Sequence, residues 1–184
     1  MLMRRDRSQL LVIDVQERLA PHVEQGADVI TNAALLLRYA HRLAVPATLT
    51  EHYPKGLGAT AASVREAAGV ETPVLGKIAF SGWRDAPIHQ RLTDLKTSGR
   101  DQIVVAGMET HVCVGQTVLD LIAAGLAVFV VADAVGSRSA RVRDLAIERL
   151  RQAGAHIVAQ EMVAFEWLER GDAAAFKDVI KLVK

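Results

Sequence analysis

The stretch QIVVAGMETHVCVGQT, residues 102–117, joins a short apolar run to a longer apolar segment through a polar turn that ends at Cys113. The run QIVVA does not alternate apolar and polar residues, which is typical of a strand covered on both faces. The segment 112–124 is strongly apolar and stops at Gly125, as a helix commonly does at a glycine. The stretch therefore predicts a buried strand, a turn and a helix, the unit from which parallel sheets are built.

The same alternation of short apolar runs and helical patterns covers the rest of the chain. The other strand candidates are residues 9–14, 44–50, 73–75, 127–132 and 155–158. Apolar residues recur at helical spacing in 28–42, in a segment that starts at Asp85, and in 141–153 and 172–183. The pattern predicts an α/β fold of three αβα layers, with a doubly wound, six-stranded, mainly parallel, Rossmann-like sheet.

The 184 residues are long enough for one complete hydrophobic core, so residues 1–184 are predicted to be a single domain. No repeat or linker-like stretch interrupts it. The segment 51–72, rich in Gly, Ala and Thr, is predicted to be irregular and to lie over the site or to reach a neighbouring subunit.

Composition and charge exclude several classes of protein. Lys and Arg number 22 against 21 acidic residues, so no basic footprint for a nucleic acid is expected. The apolar runs are shorter than the ~18 residues of a membrane span, and Asp14 interrupts the N-terminal run LLVI, unlike a signal peptide. A single cysteine forms no disulfide within the chain, which fits a reducing compartment. We therefore expect a cytoplasmic protein with a small-molecule substrate and no nucleic-acid or membrane partner.

Three polar groups follow three of the predicted strands. Asp14 ends LLVID, Lys77 comes after the third strand, and Cys113 lies where the helix after the fourth strand starts. Ligands of open α/β sheets bind beyond the carboxyl ends of the strands, so the three groups are expected to converge. A helix N-terminus and an ammonium favour a thiolate, and a carboxylate can take up and return a proton. Taken singly, these residues read as a turn residue, a solvated lysine and a core cysteine; together they predict a cysteine nucleophile.

These stretches resemble the isochorismatase-like cysteine hydrolase family, which includes nicotinamidases and other amidohydrolases. The resemblance runs from LLVIDVQ at residue 10 to ADAVGSR, ending at Arg138, and is most specific in GMETHVCVGQT; TEHYPKGLG, residues 50–58, is also similar. It implies a catalytic triad of Asp14, Lys77 and Cys113 that hydrolyses a substrate through a covalent thioester-type intermediate.

The resemblance also concerns the backbone beside the nucleophile. It implies a cis peptide bond between Met108 and Glu109, and an oxyanion hole formed by the N–H groups of Glu109 and Cys113. It further implies a homo-oligomer, a dimer or larger.

Two departures from the family pattern limit what it implies. Nicotinamidases hold a metal through a D-x-H pair after the second strand, whereas Glu51 and His52 are adjacent here and point to different faces. We therefore expect no metal and no cofactor. Where members often read Ala-Thr-Asp, this chain has Glu109, Thr110 and His111, which puts bulky polar side chains next to Cys113.

Further residues near these motifs are candidates for contacts with the substrate. They are Gln16, His52, Tyr53, Phe80, Ser81, Trp83, Thr110 and His111. Phe80 and Trp83 are equally well explained as core or subunit contacts, and Gln16 as the cap of a turn.

The leading hypothesis is a hydrolase of a small amide, or of a related C–N or ester-like bond. One alternative is a non-catalytic binding or assembly module with the same fold. Another is a thiol-based redox enzyme or sensor, which would need a resolving cysteine from another chain. A dinucleotide-dependent oxidoreductase is disfavoured, because the first strand is followed by DVQERLA and not by G-x-G-x-x-G.

Overall fold

A computed structural model of the chain describes residues 1–183. Its centre is a sheet whose six strands are β1 Ser8–Ile13, β2 Ala47–His52, β3 Val74–Lys77, β4 Gln102–Met108, β5 Ala127–Gly136 and β6 His156–Val158. The order across the sheet is β3-β2-β1-β4-β5-β6, and every neighbouring pair is parallel. The predicted α/β class and the doubly wound sheet are therefore confirmed, and the sheet is parallel throughout.

The central strands are apolar on both faces because both faces are covered. Every residue of β1 and of β4 is buried. Along β1, Leu10 and Val12 enter one core, whereas Leu11 and Ile13 enter the other. Successive side chains of a strand point to opposite faces, so one continuous apolar run supplies both cores.

The helices form the two outer layers of the fold. They are α1 Gly26–Arg42, α2 Pro54–Leu57, α3 Ala62–Ala68, α4 Ala86–Thr97, α5 Gly115–Ala123, α6 Ala140–Gln152, α7 Gln160–Leu168 and α8 Phe176–Val183. Residues of α1, α3, α7 and α8 share one core, and those of α4, α5 and α6 share the other. Across residues 1–183, none of these helices has the length and apolar character needed to cross a membrane.

The longest helix, α1, shows how the pattern specifies the packing. Val29, Ala33, Leu37 and Ala40 are buried and recur at spacings of three and four residues, which places them on one face. That face contacts α3, β5 and α7, so α1 is a central element of its layer.

The prediction that 51–72 is irregular is wrong. β2 continues to His52, and the segment then forms α2 and α3, of which α3 buries Val64 and Ala68. Helices of four and seven residues are too short to show a periodic pattern. The sequence reading also leaves out α7, whose apolar residues lie on several sides of the helix.

The two halves of the sheet meet where β4 lies beside β1. Gly107 is paired with Ile13 and has a φ of +129°, which side chains rarely tolerate. A Cβ atom on Gly107 would also overlap the carbonyl oxygen of Ile13. Glycine is therefore required here. It lets the backbones of β1 and β4 lie close together just before both strands end.

Candidate active site

The direction in which the strands are added reverses between β1 and β4, and this switch point is where open α/β sheets bind their ligands. Asp14 directly follows β1, and Lys77 is the last residue of β3. Cys113 lies in a single π-helical turn, Thr110–Val114, between β4 and α5. The structure brings the carboxylate, the ammonium and the thiol together at this edge.

The Asp14 carboxylate is held on both of its oxygens. Its Oδ1 accepts a hydrogen bond from Thr50 Oγ1 at 2.6 Å, and its Oδ2 lies 2.7 Å from Lys77 Nζ. The backbone has a φ of 53°, and the Asp14 N–H donates to the carbonyl of Thr50 at 3.1 Å. Neither charged side chain is exposed to solvent, so Asp14 and Lys77 form a fully buried ion pair.

The Lys77 ammonium has three hydrogen-bond partners. Besides Asp14, it donates to the carbonyl oxygens of Ala79 at 3.2 Å and of Phe80 at 3.1 Å. Lys77 is thus a fixed positive charge in this arrangement, and it also acts on the thiol of Cys113.

Cys113 is 6% exposed, and the pKa of its thiol is raised from 9.0 to about 12. Burial is the largest cause, and the Asp14 carboxylate adds to it; the Lys77 ammonium opposes both without prevailing. The ammonium thus favours the thiolate, as the sequence predicts, but burial and the carboxylate outweigh it. Desolvation disfavours the charged form, so Cys113 rests as a protonated thiol beside a carboxylate.

The peptide bond between Met108 and Glu109 is cis. The Glu109 side chain turns to Arg138, which follows β5. The backbone N–H and Nε of Arg138 donate to Glu109 Oε1, both at 3.1 Å, and its Nη2 donates to Oε2 at 2.8 Å. Burial opposes the ionisation of Glu109, but the hydrogen bonds from Arg138 prevail and lower the pKa of the carboxyl. The hydrogen bonds between Glu109 and Arg138 therefore fix the start of the turn that carries Cys113.

Gln16 holds the end of β2, although it follows Asp14 closely in sequence. Its Oε1 accepts from the His52 N–H at 2.8 Å, and its Nε2 donates to the carbonyls of His52 at 3.1 Å and Gly58 at 2.6 Å. Gln16 thus positions His52 and the loop after β2.

An aromatic group lies beside Lys77. The rings of His52 and Phe80 are 5.5 Å apart, and Tyr53 and Phe80 are each 51% exposed. Burial, and then the charge of Lys77, lower the pKa of His52, so its ring is neutral at physiological pH. The candidates His52 and Phe80 therefore form an uncharged rim next to the ammonium, whereas the Tyr53 ring lies against Gly56.

Ser81 and Trp83 have protein partners. The buried hydroxyl of Ser81 donates to Asp120 Oδ2 at 2.7 Å. The Trp83 ring lies 4.1 Å from the His89 ring and packs against the core that contains α4 and α5. Both side chains tie the loop after β3 to the neighbouring helices.

Thr110 and His111 are the first two residues of the turn that carries Cys113, and they differ in exposure. Thr110 is fully buried, and its hydroxyl has no hydrogen-bond partner among the described residues. His111 is partly exposed, and its Nδ1 lies 3.1 Å from the hydroxyl of Ser137. The end of β5 therefore contacts this turn through Ser137 as well as through Arg138.

Within residues 1–183, no group of three or more His, Cys, Asp or Glu side chains is arranged to hold a metal ion. The Glu51 carboxylate, next to His52 in sequence, accepts hydrogen bonds from the N–H and the hydroxyl of Thr60 at 2.7 and 2.8 Å. Glu51 thus fixes the loop before α3.

Sequence reasoning missed three residues that support the site. Thr50 bonds Asp14, Arg138 bonds Glu109, and the Thr117 hydroxyl donates to the carbonyl of Cys113 at 2.6 Å. Only Thr50 had a usable signal. It is the β2 partner of Ile13, so strand alignment puts it beside the residue that follows β1.

A parallel sheet in this strand order, with a buried cysteine, carboxylate and ammonium at its switch point, defines the class of isochorismatase-like α/β hydrolases. The family model described as Isochorismatase domain matches residues 8–162. The chain belongs to the isochorismatase family.

Proteins of known sequence agree with this assignment. Isochorismatase domain-containing protein 2 of Bos taurus is 38% identical over 177 residues, covering 96% of this chain and 83% of that protein. Isochorismatase family protein 1B of Dictyostelium discoideum is 32% identical over 183 residues, covering 97% and 87%.

Solved structures show the same fold. A structure described as MAR1 ribonuclease from Caenorhabditis elegans has a TM-score of 0.92 and 35% identity, covering 100% of this chain and 92% of that one. The YcaC product of Escherichia coli, described as an octameric hydrolase of unknown specificity, has a TM-score of 0.90 and 24% identity, covering 99% and 90%.

Proposed function

We propose that this protein is a cysteine hydrolase that cleaves a small amide, or a related C–N or ester-like bond, with Asp14, Lys77 and Cys113 as its catalytic triad. The observation that carries the proposal is a buried thiol beside a buried carboxylate–ammonium pair at the switch point of the sheet. Membership in the isochorismatase family and the hydrolase-type fold support it.

The first half-reaction uses the proton that the resting thiol carries. Asp14 takes the proton from Cys113 Sγ while the sulfur forms a bond to the substrate's carbonyl carbon. The tetrahedral intermediate then collapses, the C–N bond breaks, and Asp14 delivers the proton to the departing nitrogen. An amine leaves, and the acyl group stays on Cys113 as a thioester.

Water completes the reaction by the same route. Asp14 takes a proton from the water as its oxygen attacks the thioester carbonyl, and the C–S bond breaks. The sulfur recovers the proton from Asp14, a carboxylic acid is released, and the enzyme returns to its initial state. Amide and water have become acid and amine.

The other groups stabilise charge in this scheme. The Lys77 ammonium, fixed by Asp14 and two carbonyls, stabilises the thiolate as it forms. We assign the oxyanion hole to the backbone N–H groups of Glu109 and Cys113, for which a single donor is typically worth about 10²–10³-fold in rate. The hydrogen bonds that Arg138 donates to the Glu109 carboxylate keep Glu109 in place for that role.

The rim around Lys77 suggests where the substrate lies. His52 and Phe80 offer neutral aromatic surface beside the ammonium. The buried Thr110 hydroxyl and His52 Nδ1 both lack a partner within residues 1–183, so both are candidates for a polar contact.

The test is a screen of the purified protein over small amides, ureas, carbamoyl compounds and esters, with Cys113→Ser and Cys113→Ala as controls. We expect hydrolysis by the wild type, an acyl adduct on Cys113 by mass spectrometry, and a loss of about 10⁴-fold or more in Cys113→Ala. A Cys113→Ala variant that remains active would overturn the mechanism.

The alternatives have their own outcomes. If none of these compounds acylates Cys113, but one of them binds without turnover, the protein is a binding module. A stable sulfenate or mixed disulfide on Cys113 after mild peroxide treatment would instead indicate redox function. Slow alkylation at neutral pH does not separate them, because the resting thiol is protonated.

RNA cleavage is a second candidate, because the structure 35% identical to this chain is described as a ribonuclease. Lys77 is fully buried and paired with Asp14, which disfavours this candidate, whereas Arg138 is paired with Glu109 but is 67% exposed. Incubation of labelled RNA with the wild type and with Cys113→Ala decides the matter: cleavage that depends on Cys113 would favour this candidate.

We also propose that the chain forms a homo-oligomer. Ile78, Leu145 and Phe165 are exposed apolar residues, and a relative of the same fold is described as octameric. Light scattering should give a multiple of the 19.9 kDa chain mass, and a mass of one chain would contradict the proposal.

A further inference from the structure

Ser81 and Gly82, in the loop after β3, each form one hydrogen bond with helix α5. The backbone N–H of Gly82 donates to the hydroxyl of Thr117 at 2.9 Å, and the hydroxyl of Ser81 donates to Asp120 Oδ2 at 2.7 Å. Thr117 and Asp120 are three residues apart, so they lie on the same side of the helix. We call these two contacts the loop–helix latch.

Each side of the latch carries part of the candidate triad. On the loop side, the carbonyls of Ala79 and Phe80, just before Ser81, bind the ammonium of Lys77. On the helix side, the Thr117 hydroxyl donates to the carbonyl oxygen of Cys113 at 2.6 Å. One hydroxyl group thus accepts from the lysine loop and donates to the nucleophile's own carbonyl.

The position of the Thr117 hydroxyl limits its freedom. Thr117 is fully buried, and its hydroxyl uses its proton on Cys113 and a lone pair on Gly82. A buried N–H or C=O group that loses such a partner has no water to replace it, so the loop or the turn must move. Loss of this hydroxyl therefore alters the separation between the two groups that it links.

We infer that Thr117 is a positioning residue: through the loop–helix latch, it sets the distance between the thiol of Cys113 and the ammonium of Lys77. The inference rests on the proposed function, because that separation matters only if Lys77 stabilises the thiolate. Thr117 itself touches neither reacting atom.

The experiment compares Thr117→Val with Thr117→Ser. Valine has nearly the shape of threonine but no hydroxyl, whereas serine keeps the hydroxyl and loses only a methyl group. Thr97→Val is the matched control, because the Thr97 hydroxyl makes the same contact to the carbonyl four residues earlier, at 2.9 Å, on the exposed surface of α4.

Two readouts are measured for each variant. Steady-state kinetics on the best substrate of the screen should show kcat falling by up to about 100-fold in Thr117→Val, the loss expected from a displacement of about 1 Å, with KM unchanged. Thr117→Ser should recover most of the rate, and Thr97→Val should match the wild type.

The second readout does not depend on turnover. The rate of Cys113 alkylation by iodoacetamide is followed against pH, with unfolding midpoints measured in parallel. In Thr117→Val the ammonium no longer supports the thiolate as well, so the profile should move to higher pH. Thr117→Ser and Thr97→Val should keep the wild-type profile.

The outcomes separate the inference from the proposed function. Wild-type kcat and an unchanged alkylation profile in Thr117→Val would overturn the inference, and equal losses in Thr117→Val and Thr117→Ser would do so too. If the alkylation profile shifts in Thr117→Val but the wild type hydrolyses none of the compounds, the positioning role of Thr117 is supported and the proposed hydrolase function is contradicted. Arg84 of the same loop also donates to Asp120, at 2.8 and 3.2 Å. Should Thr117→Val fail to fold, the double variant Ser81→Ala, Arg84→Met removes the loop's contacts with Asp120 and is judged by the same two readouts.

Discussion

Two ion pairs flank the turn that carries Cys113, and they differ chiefly in their exposure. The oppositely charged atoms are 2.7 Å apart in the Asp14–Lys77 pair and 2.8 Å apart in the Glu109–Arg138 pair. In the first pair neither side chain is exposed, whereas in the second the Arg138 side chain is 67% exposed. Water and salt therefore screen the second pair and not the first.

The comparison shows that the length of an ion pair does not reveal its role. The buried pair determines charge at the thiol, since Asp14 raises the pKa of Cys113 and Lys77 lowers it. The exposed pair determines geometry, because it fixes the side chain that follows the cis bond. Breaking each pair in the same way should therefore give different results.

The largest effect is expected from Lys77→Met, which leaves the Asp14 carboxylate buried without its partner. Removing one member of a buried pair typically costs about 3–5 kcal/mol, so the urea midpoint should fall sharply and turnover should be lost. The double variant Asp14→Asn, Lys77→Met is the control, because without either charge much of the stability should return. If Lys77→Met were as stable as the wild type, the pair would not be desolvated as described.

The next effect is that of Asp14→Asn, which should slow turnover and speed alkylation at the same time. Loss of general acid–base catalysis should lower kcat by about 10²–10⁴-fold. Removal of the carboxylate also lowers the pKa of Cys113, because Asp14 raises it, so iodoacetamide should label the thiol faster at a pH of about 8. Slower labelling would contradict the assigned role of Asp14.

A more gradual effect should appear in the stability of the wild type as the pH rises into the alkaline range. The thiol keeps its proton in the folded protein up to a pH of about 12, against an ordinary pKa of 9.0. The unfolded chain therefore loses this proton first, and stability should fall as the pH rises from 9.0 towards 12. The slope for one proton is about 1.4 kcal/mol per pH unit. The stabilities of the wild type and Cys113→Ala, measured by urea titration, should diverge only above pH 9.0. Parallel changes in the two proteins would contradict the raised pKa of the buried thiol.

The smallest effect is expected from Arg138→Met, which breaks the exposed pair. Its urea midpoint should change far less than that of Lys77→Met, and kcat should fall by a modest factor as Glu109 becomes less fixed. Salt screens the exposed pair in the wild type, so the two proteins should become more alike in kcat at about 1 M salt. A difference that is independent of salt would place this pair in the same category as the buried one.

The sequence predicts most of the architecture because the central strands are buried on both faces. β1 and β4 are short apolar runs, which are typical of strands covered on both faces. Asp14 directly follows β1, and Cys113 lies in the turn after β4. The short helices α2 and α3 could not be predicted, since four and seven residues show no period.

The supporting contacts of the site are harder to predict than the triad. Thr117 and Arg138 act through hydrogen bonds to Gly82 and Glu109, which are 35 and 29 residues away along the chain. A threonine in a helix and an arginine in a loop are also unremarkable in sequence. The thiol pKa also depended on the fold, because burial outweighs the ammonium that the pattern suggested would dominate.

The close contact at Gly107 has a consequence for how this chain can change. The part before it supplies the carboxylate and the ammonium, and the part from it onward supplies the thiol. Because the two parts meet where not even a methyl group fits, neither can shift to accommodate a foreign counterpart. Recombination with a relative at this junction should give active chimaeras only when both parent proteins have the same close contact between Gly107 and Ile13. The two halves of the site are then inherited together, although they lie on separate stretches of the chain.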